Sequence, residues 1–142
     1  MKKLFCVTGS VLFLLVLSLT SCEDDKTPEE LLIGKWNIDS EHYTSYENGV
    51  KTDEGTYYYD PGEGAIEFLE GGTGKIYEDG VVEDTFSWEI DGDILAITET
   101  VGTEAIDMDF TVSESKLTLK FSYEETWEGD VYKEESELIL SR

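Results

Sequence analysis

From residue 34 onward apolar side chains recur at every second position, and no helical period of any length competes with that alternation. Trp36 and Ile38 alternate with Lys35, Asn37 and Asp39; Phe86, Trp88 and Ile90 with Thr85, Ser87 and Glu89; Leu117, Leu119, Phe121 and Tyr123 with mostly polar neighbours. Successive residues of a strand face opposite sides, so this spacing describes strands with one buried and one wet face. Hairpin residues punctuate the runs at short intervals: Asn48-Gly49, Gly71-Gly72, Asp79-Gly80, Asp91-Gly92, Gly102, Ser113 to Ser115 and Glu128-Gly129-Asp130. Strands are expected at about 34–46, 50–59, 64–70, 73–78, 81–90, 93–100, 104–112, 116–126 and 131–141, each joined to the next by a tight turn. Eight or nine strands in up-and-down order have bare edges unless the sheet closes. The expected fold is therefore all-β, an antiparallel meander barrel; the competing two-sheet sandwich usually needs longer crossing loops. Ahead of the strands, Thr27-Pro28-Glu29-Glu30 forms a capping box before Leu31-Leu32-Ile33. It predicts about two turns of helix over 28–33, ended by Gly34.

The first residues have a different logic. Lys2 and Lys3 precede an apolar stretch from Val11 to Leu19, and the sequence then turns abruptly to Ser21-Cys22-Glu23-Asp24-Asp25. This order is that of a secretory signal peptide over residues 1–21, and its apolar run falls short of the ~20 residues that a spanning helix needs. Leu19-Thr20-Ser21-Cys22 resembles the lipobox of bacterial lipoproteins. The resemblance implies diacylglycerol on the Cys22 sulfur and cleavage before it; an ordinary signal peptide with a cysteine near its end is the alternative. Residues 22–27 read as an acidic tether. Glu23, Asp24 and Asp25 resemble the acidic run by which some Gram-negative lipoproteins reach the outer face of the outer membrane, and a merely solvated linker is the other reading.

Cysteine and charge narrow the possibilities further. Cys6 falls in the removed segment and Cys22 would be acylated, so the mature chain would carry neither a free thiol nor a disulfide. Loss of Lys2 and Lys3 leaves eight basic residues against 33 acidic ones, a net charge of −25. A polyphosphate partner requires clustered Lys or Arg, so nucleic acid is excluded.

The strand region resembles the lipocalin-like lipoprotein domains of Gram-negative bacteria. The residues carrying the resemblance are Gly34-Lys35-Trp36 at the first strand, Phe68-Leu69-Glu70-Gly71-Gly72-Thr73-Gly74, Trp88-Glu89-Ile90-Asp91-Gly92-Asp93-Ile94-Leu95, and the closing Leu138-Ile139-Leu140-Ser141-Arg142. It spans most of 31–142 and implies a lipocalin-like barrel over 28–142. In that family pattern an arginine after the last strand covers the tryptophan of the first. Gly34, Trp36 and Arg142 would thus close one end of the barrel; a solvated terminal charge is the plain alternative for Arg142.

Little else points to chemistry. His42 is the single histidine, which removes His-dependent triads, Cys-His pairs and ordinary zinc sites. Most carboxylates occupy the wet register of their strands, where nothing perturbs a pKa for catalysis. Asp91-Gly92-Asp93 and Glu128-Gly129-Asp130 do not fit a calcium loop and read as turns; the glycines at 71, 72 and 74 lack the lysine of a phosphate loop. No enzyme, metal or cofactor is expected. Tyrosines toward strand ends, above all Tyr57, Tyr59, Tyr123 and Tyr132, are the candidates for contact with a small hydrophobic, sugar or peptide ligand, although tyrosine also simply favours strands. The expectation is a lipid-anchored, non-catalytic binding module at the cell outer membrane, facing the cell exterior, with the periplasmic face as the alternative. An accessory subunit of an envelope complex, with a filled barrel and no ligand, is the competing function.

Overall fold

The computed structural model describes residues 26–100 and 105–142; the expected signal peptide, Cys22, Glu23, Asp24 and Asp25 lie outside them. The described residues form α1 (Pro28–Leu32), β1 (Gly34–Glu47), β2 (Val50–Tyr58), β3 (Gly64–Leu69), β4 (Thr73–Glu78), β5 (Val81–Asp91), β6 (Ile94–Glu99), β7 (Ile106–Val112), β8 (Lys116–Trp127) and β9 (Asp130–Ser141). The capping box is made in both directions: Glu30 N–H donates to Thr27 Oγ1, and Thr27 N–H donates to Glu30 Oε2. The helix is shorter than expected, because Ile33 is already extended and Gly34 opens β1.

All pairings are antiparallel, and β9 returns to β1, which closes the sheet and sets the sandwich aside. Continuous up-and-down order needs a correction. β1 pairs directly with β3 over Gly34–Asn37 and with β2 only from Ser40 onward, so eight strands close the barrel and β2 is extra. β2 and β3 lie end to end along one side of β1, separated by residues 59–63. That loop is not the tight turn expected: Asp60 N–H donates to the Glu63 carboxylate, and Tyr59 N–H donates to the Asp39 carbonyl.

Residue Asp39 marks a corner. Ile38 pairs with Leu140 but Ser40 pairs with Ile139, so Asp39 is an inserted bulge residue, and its carboxylate accepts from Ser141 Oγ at 2.8 Å. A bulge bends the strand and reverses which residues face inward. Beyond it β1 leaves the cylinder with β2, β8 and β9 as a four-stranded wall ordered β2-β1-β9-β8. β7 pairs with β8 only as far as Lys120, so among the described residues the wall has two free rims, β2 and the distal half of β8.

The cylinder is filled. Leu32, Trp36, Phe68, Leu95, Leu117, Leu119 and Leu140 are fully buried. The Phe68 ring stands edge-on to Phe86 at 5.5 Å and to Trp88 at 5.7 Å between centroids, the geometry favoured by ring quadrupoles. Gly74 leaves room for this group, since a Cβ there would collide with the Phe86 ring. Burying each large apolar side chain contributes roughly 1.5–3 kcal/mol, and these residues belong to one continuous cluster.

Candidate functional site

The two ends of the barrel differ. At one end α1 lies across the opening. Trp36 is fully buried there and donates its indole N–H to the Leu32 carbonyl at 2.8 Å. The Arg142 guanidinium sits 4.1 Å from the Trp36 ring centroid and donates to the carbonyls of Ile33, Leu31 and Glu114 at 2.9, 3.0 and 2.8 Å. Gly34, at φ +125°, lies beneath it; a Cβ at that position would meet Arg142 Nη1 at 3.0 Å. These residues gather to seal the end and leave the opposite end for contact with the surroundings.

At that opposite end the wall rises. Its register assigns faces: Tyr43 pairs with Gly55 and Ser136, Glu41 with Tyr57 and Leu138, Phe121 with Ser136, Tyr123 with Glu134, and Tyr132 with Glu47 and Glu125. Directly opposed residues share a face, and Leu138 and Leu140 identify it as the face continuous with the barrel interior. Tyr57, Tyr123 and Tyr132 therefore stand on one inner surface, and Tyr59 joins them through an edge-on contact with Tyr57, 4.7 Å between centroids. Tyr46 and Tyr58 fall on the outer face.

The hydroxyls of this inner surface are committed to carboxylates. Tyr57 donates to Glu63 at 2.5 Å, Tyr59 to Glu41 at 3.4 Å, Tyr43 to Asp53 at 3.5 Å and Tyr123 to Glu125 at 3.2 Å. The bond to Glu63 holds the Tyr57 hydroxyl above the ordinary tyrosine pKa and holds Glu63 below the ordinary carboxylate value. Burial, then the Glu41 charge, raises Tyr59; the bond to Glu125 raises Tyr123; the Glu47 charge raises Tyr132. Each tyrosine thus stays neutral next to an anion. Gly55 lets the Tyr43 ring lie flat across the strand, because a Cβ there would be 2.6 Å from the Tyr43 hydroxyl.

Charge is sorted between the faces. By register the inner face carries Glu41, Glu47, Asp53, Glu125, Asp130 and Glu134, with Glu63 from the adjoining loop, and no lysine or arginine. The three lysines of the wall lie outside, where Lys51 pairs with Glu54, Lys120 with Glu137 and Lys133 with Glu135. Ser136, 5 % exposed, sits on the inner face between Tyr43 and Phe121, and its hydroxyl has no hydrogen-bond partner. Ser45, Glu47, Tyr123, Glu125, Tyr132 and Glu134, with the outer-register Tyr46 and Lys133 and with Thr52, line a cleft of about 280 Å³ toward the tip. A second cleft of about 410 Å³ crosses the outer face past His42, Asp109, Lys120 and Glu137. Among the described residues no group of three or more His, Cys, Asp or Glu gathers as a metal site.

Sequence reasoning singled out Tyr57, Tyr59, Tyr123 and Tyr132, with Tyr43 among the other aromatics toward strand ends, and missed Glu41, Glu63 and Ser136. Only Tyr123 and Glu125, two residues apart on one strand, carried a readable signal; the other pairs meet across strands. In comparisons by sequence, no protein-family model and no curated protein matches this chain.

Proposed function

We propose that this protein is a lipid-anchored lipoprotein of the cell envelope whose barrel presents a non-catalytic binding site at its open end. Anchoring rests on the lipobox at Leu19-Thr20-Ser21-Cys22, and export to the exterior face on Glu23, Asp24 and Asp25. The observation that carries the binding reading is the wall, whose inner face leaves the rings of Tyr57, Tyr123 and Tyr132 exposed beside carboxylates. With the cylinder filled by Phe68, Phe86 and Trp88, the ligand sits at the mouth and does not enter the core. The accessory-subunit alternative draws on the same filled core and on the two free rims.

Native mass spectrometry of the protein extracted from host membranes tests both halves. The expected mass includes an acylated Cys22 and a small molecule that is lost from a Tyr57→Leu/Tyr123→Leu variant. Unacylated chain would refute the anchor. Empty wild-type protein that copurifies with a stoichiometric protein partner would favour the accessory subunit.

A further inference from the structure

We infer that the mouth receives a ligand carrying aliphatic ammonium groups, seated on tyrosine rings whose hydroxyls are tied to carboxylates. The inference rests on the mouth being the binding site and specifies the chemistry it takes.

The outer surface already contains two worked examples of such a seat. Lys35 Nζ lies 3.7 Å from the Tyr77 ring centroid, and the Tyr77 hydroxyl donates to Glu67 at 2.6 Å. Lys133 Nζ lies 5.9 Å from the Tyr46 ring centroid and 2.6 Å from Glu135, which also accepts from the Tyr46 hydroxyl at 3.3 Å. In both, the negative face of a carboxylate-bonded tyrosine ring receives an ammonium, and at Tyr46 the carboxylate also pairs with it directly. The inner face repeats the pairing four times, in Tyr43 with Asp53, Tyr57 with Glu63, Tyr59 with Glu41 and Tyr123 with Glu125, and supplies no basic residue of its own.

Hydrogen-bond capacity points the same way. Each of these hydroxyls has spent its proton on a carboxylate, so the surface offers acceptors and ring faces but few donors. An ammonium brings three donors and no acceptor. The buried Ser136 hydroxyl, on the same face and without a partner, adds an acceptor beside Tyr43. An anionic ligand would meet seven carboxylates, and a neutral one would leave their charge uncompensated.

A free polyamine and the lysine side chains of a peptide share this chemistry, and titration separates them. The full chain in non-ionic detergent, with its tyrosine rings isotopically labelled, is titrated with spermine and separately with an acetylated tetralysine peptide. The expected result is movement of the Tyr43, Tyr57, Tyr59 and Tyr123 signals while Tyr46 and Tyr77, already occupied by lysines, stay in place. Saturation at lower concentration by one probe identifies the source. Glu41→Gln/Glu63→Gln should weaken binding about tenfold, as two partly exposed ion pairs imply, and Glu67→Gln should leave it unchanged. Should the double variant misfold, the exposed Glu125→Gln alone should give a smaller loss. Equal movement of all eight tyrosine signals would mean diffuse counterion attraction and overturn the inference, as would no movement. A neutral trisaccharide or palmitate that moves the inner rings while spermine does not would overturn the ammonium reading and leave the mouth as the binding site.

Discussion

Replacing Arg142 with alanine removes one side chain that touches three separate parts of the closed end. Its guanidinium donates to Leu31 and Ile33, the carbonyls that α1 leaves open, and to Glu114 in the turn before β8, and it lies over the Trp36 ring. A helix of five residues has no stability of its own, so what holds it is the buried Leu32, the Trp36 indole bond and this arginine. Hydrogen bonds from a charged donor contribute up to ~1.5–3 kcal/mol each when dry; at this exposed site about 0.5–1 each is reasonable. With ~0.5–1 for the ring contact, Arg142→Ala should cost about 2–3 kcal/mol. For a domain of this size that lowers the melting midpoint by roughly 10 °C. Near-ultraviolet circular dichroism of the chain beginning at Glu23 measures it, and Arg142→Lys should recover less than half because an ammonium cannot span three carbonyls. The acceptors are neutral, so the difference between wild type and variant should persist in 0.5 M salt, a concentration of roughly three times the physiological ~0.15 M. A variant that melts with the wild type, or a difference that salt erases, would show that Arg142 acts only as a solvated charge.

Three further outcomes follow from the same geometry. Trp36→Ala and Trp88→Ala should each cost about 3–5 kcal/mol by emptying core volume, whereas Trp127→Ala, 65 % exposed at the wall tip, should barely shift the melt. Gly74→Ala should destabilise by ~1–3 kcal/mol in urea titrations, because the Phe86 ring must leave its place between strands. The Tyr57–Glu63 bond should be lost at both pH extremes. Glu63 titrates below its usual 4.5, so the bond contributes above that value and fades as pH falls through the folded pKa; Tyr57 titrates above its usual 10.0, so it contributes below that and fades as pH rises through its own. Carboxyl and ring carbon shifts report both, and Tyr57→Phe should move the Glu63 titration up toward its ordinary value without restoring it, because the Asp60 N–H still donates to that carboxylate.

Much of this architecture was legible because alternation and turn chemistry are local. The hairpins at Asn48-Gly49, Asp79-Gly80 and Glu128-Gly129 place positive φ at both turn residues, as their composition suggests. Strand limits matched closely for the same reason. Strand partnership is different: nothing in residues 50–58 distinguishes a barrel strand from one that accompanies only the upper half of β1, since both faces of β2 are largely wet. The Asp39 bulge was equally hidden. Without it His42 and Thr44 would continue the inward series of Trp36 and Ile38; with it Glu41 and Tyr43 face inward and the site acquires half its members. The carboxylates, read residue by residue as a solvated face, occupy both sides of the wall, but its three lysines all lie outside, which leaves the inner carboxylates to the tyrosines.

The free rims of the wall have a consequence for molecules packed side by side. β2 and the outer half of β8 each expose a row of unpaired N–H and C=O groups, which is the template on which chains zip into ribbons. Asp53, Glu54, Glu124 and Glu125 lie along those rows and act as spacers whose repulsion reaches about 8 Å at physiological ionic strength. Two such rims therefore repel each other already beyond the strand spacing of ~4.8 Å at which they would pair. Added salt shortens that reach, so ionic strength governs how closely the rim of one barrel can approach that of the next.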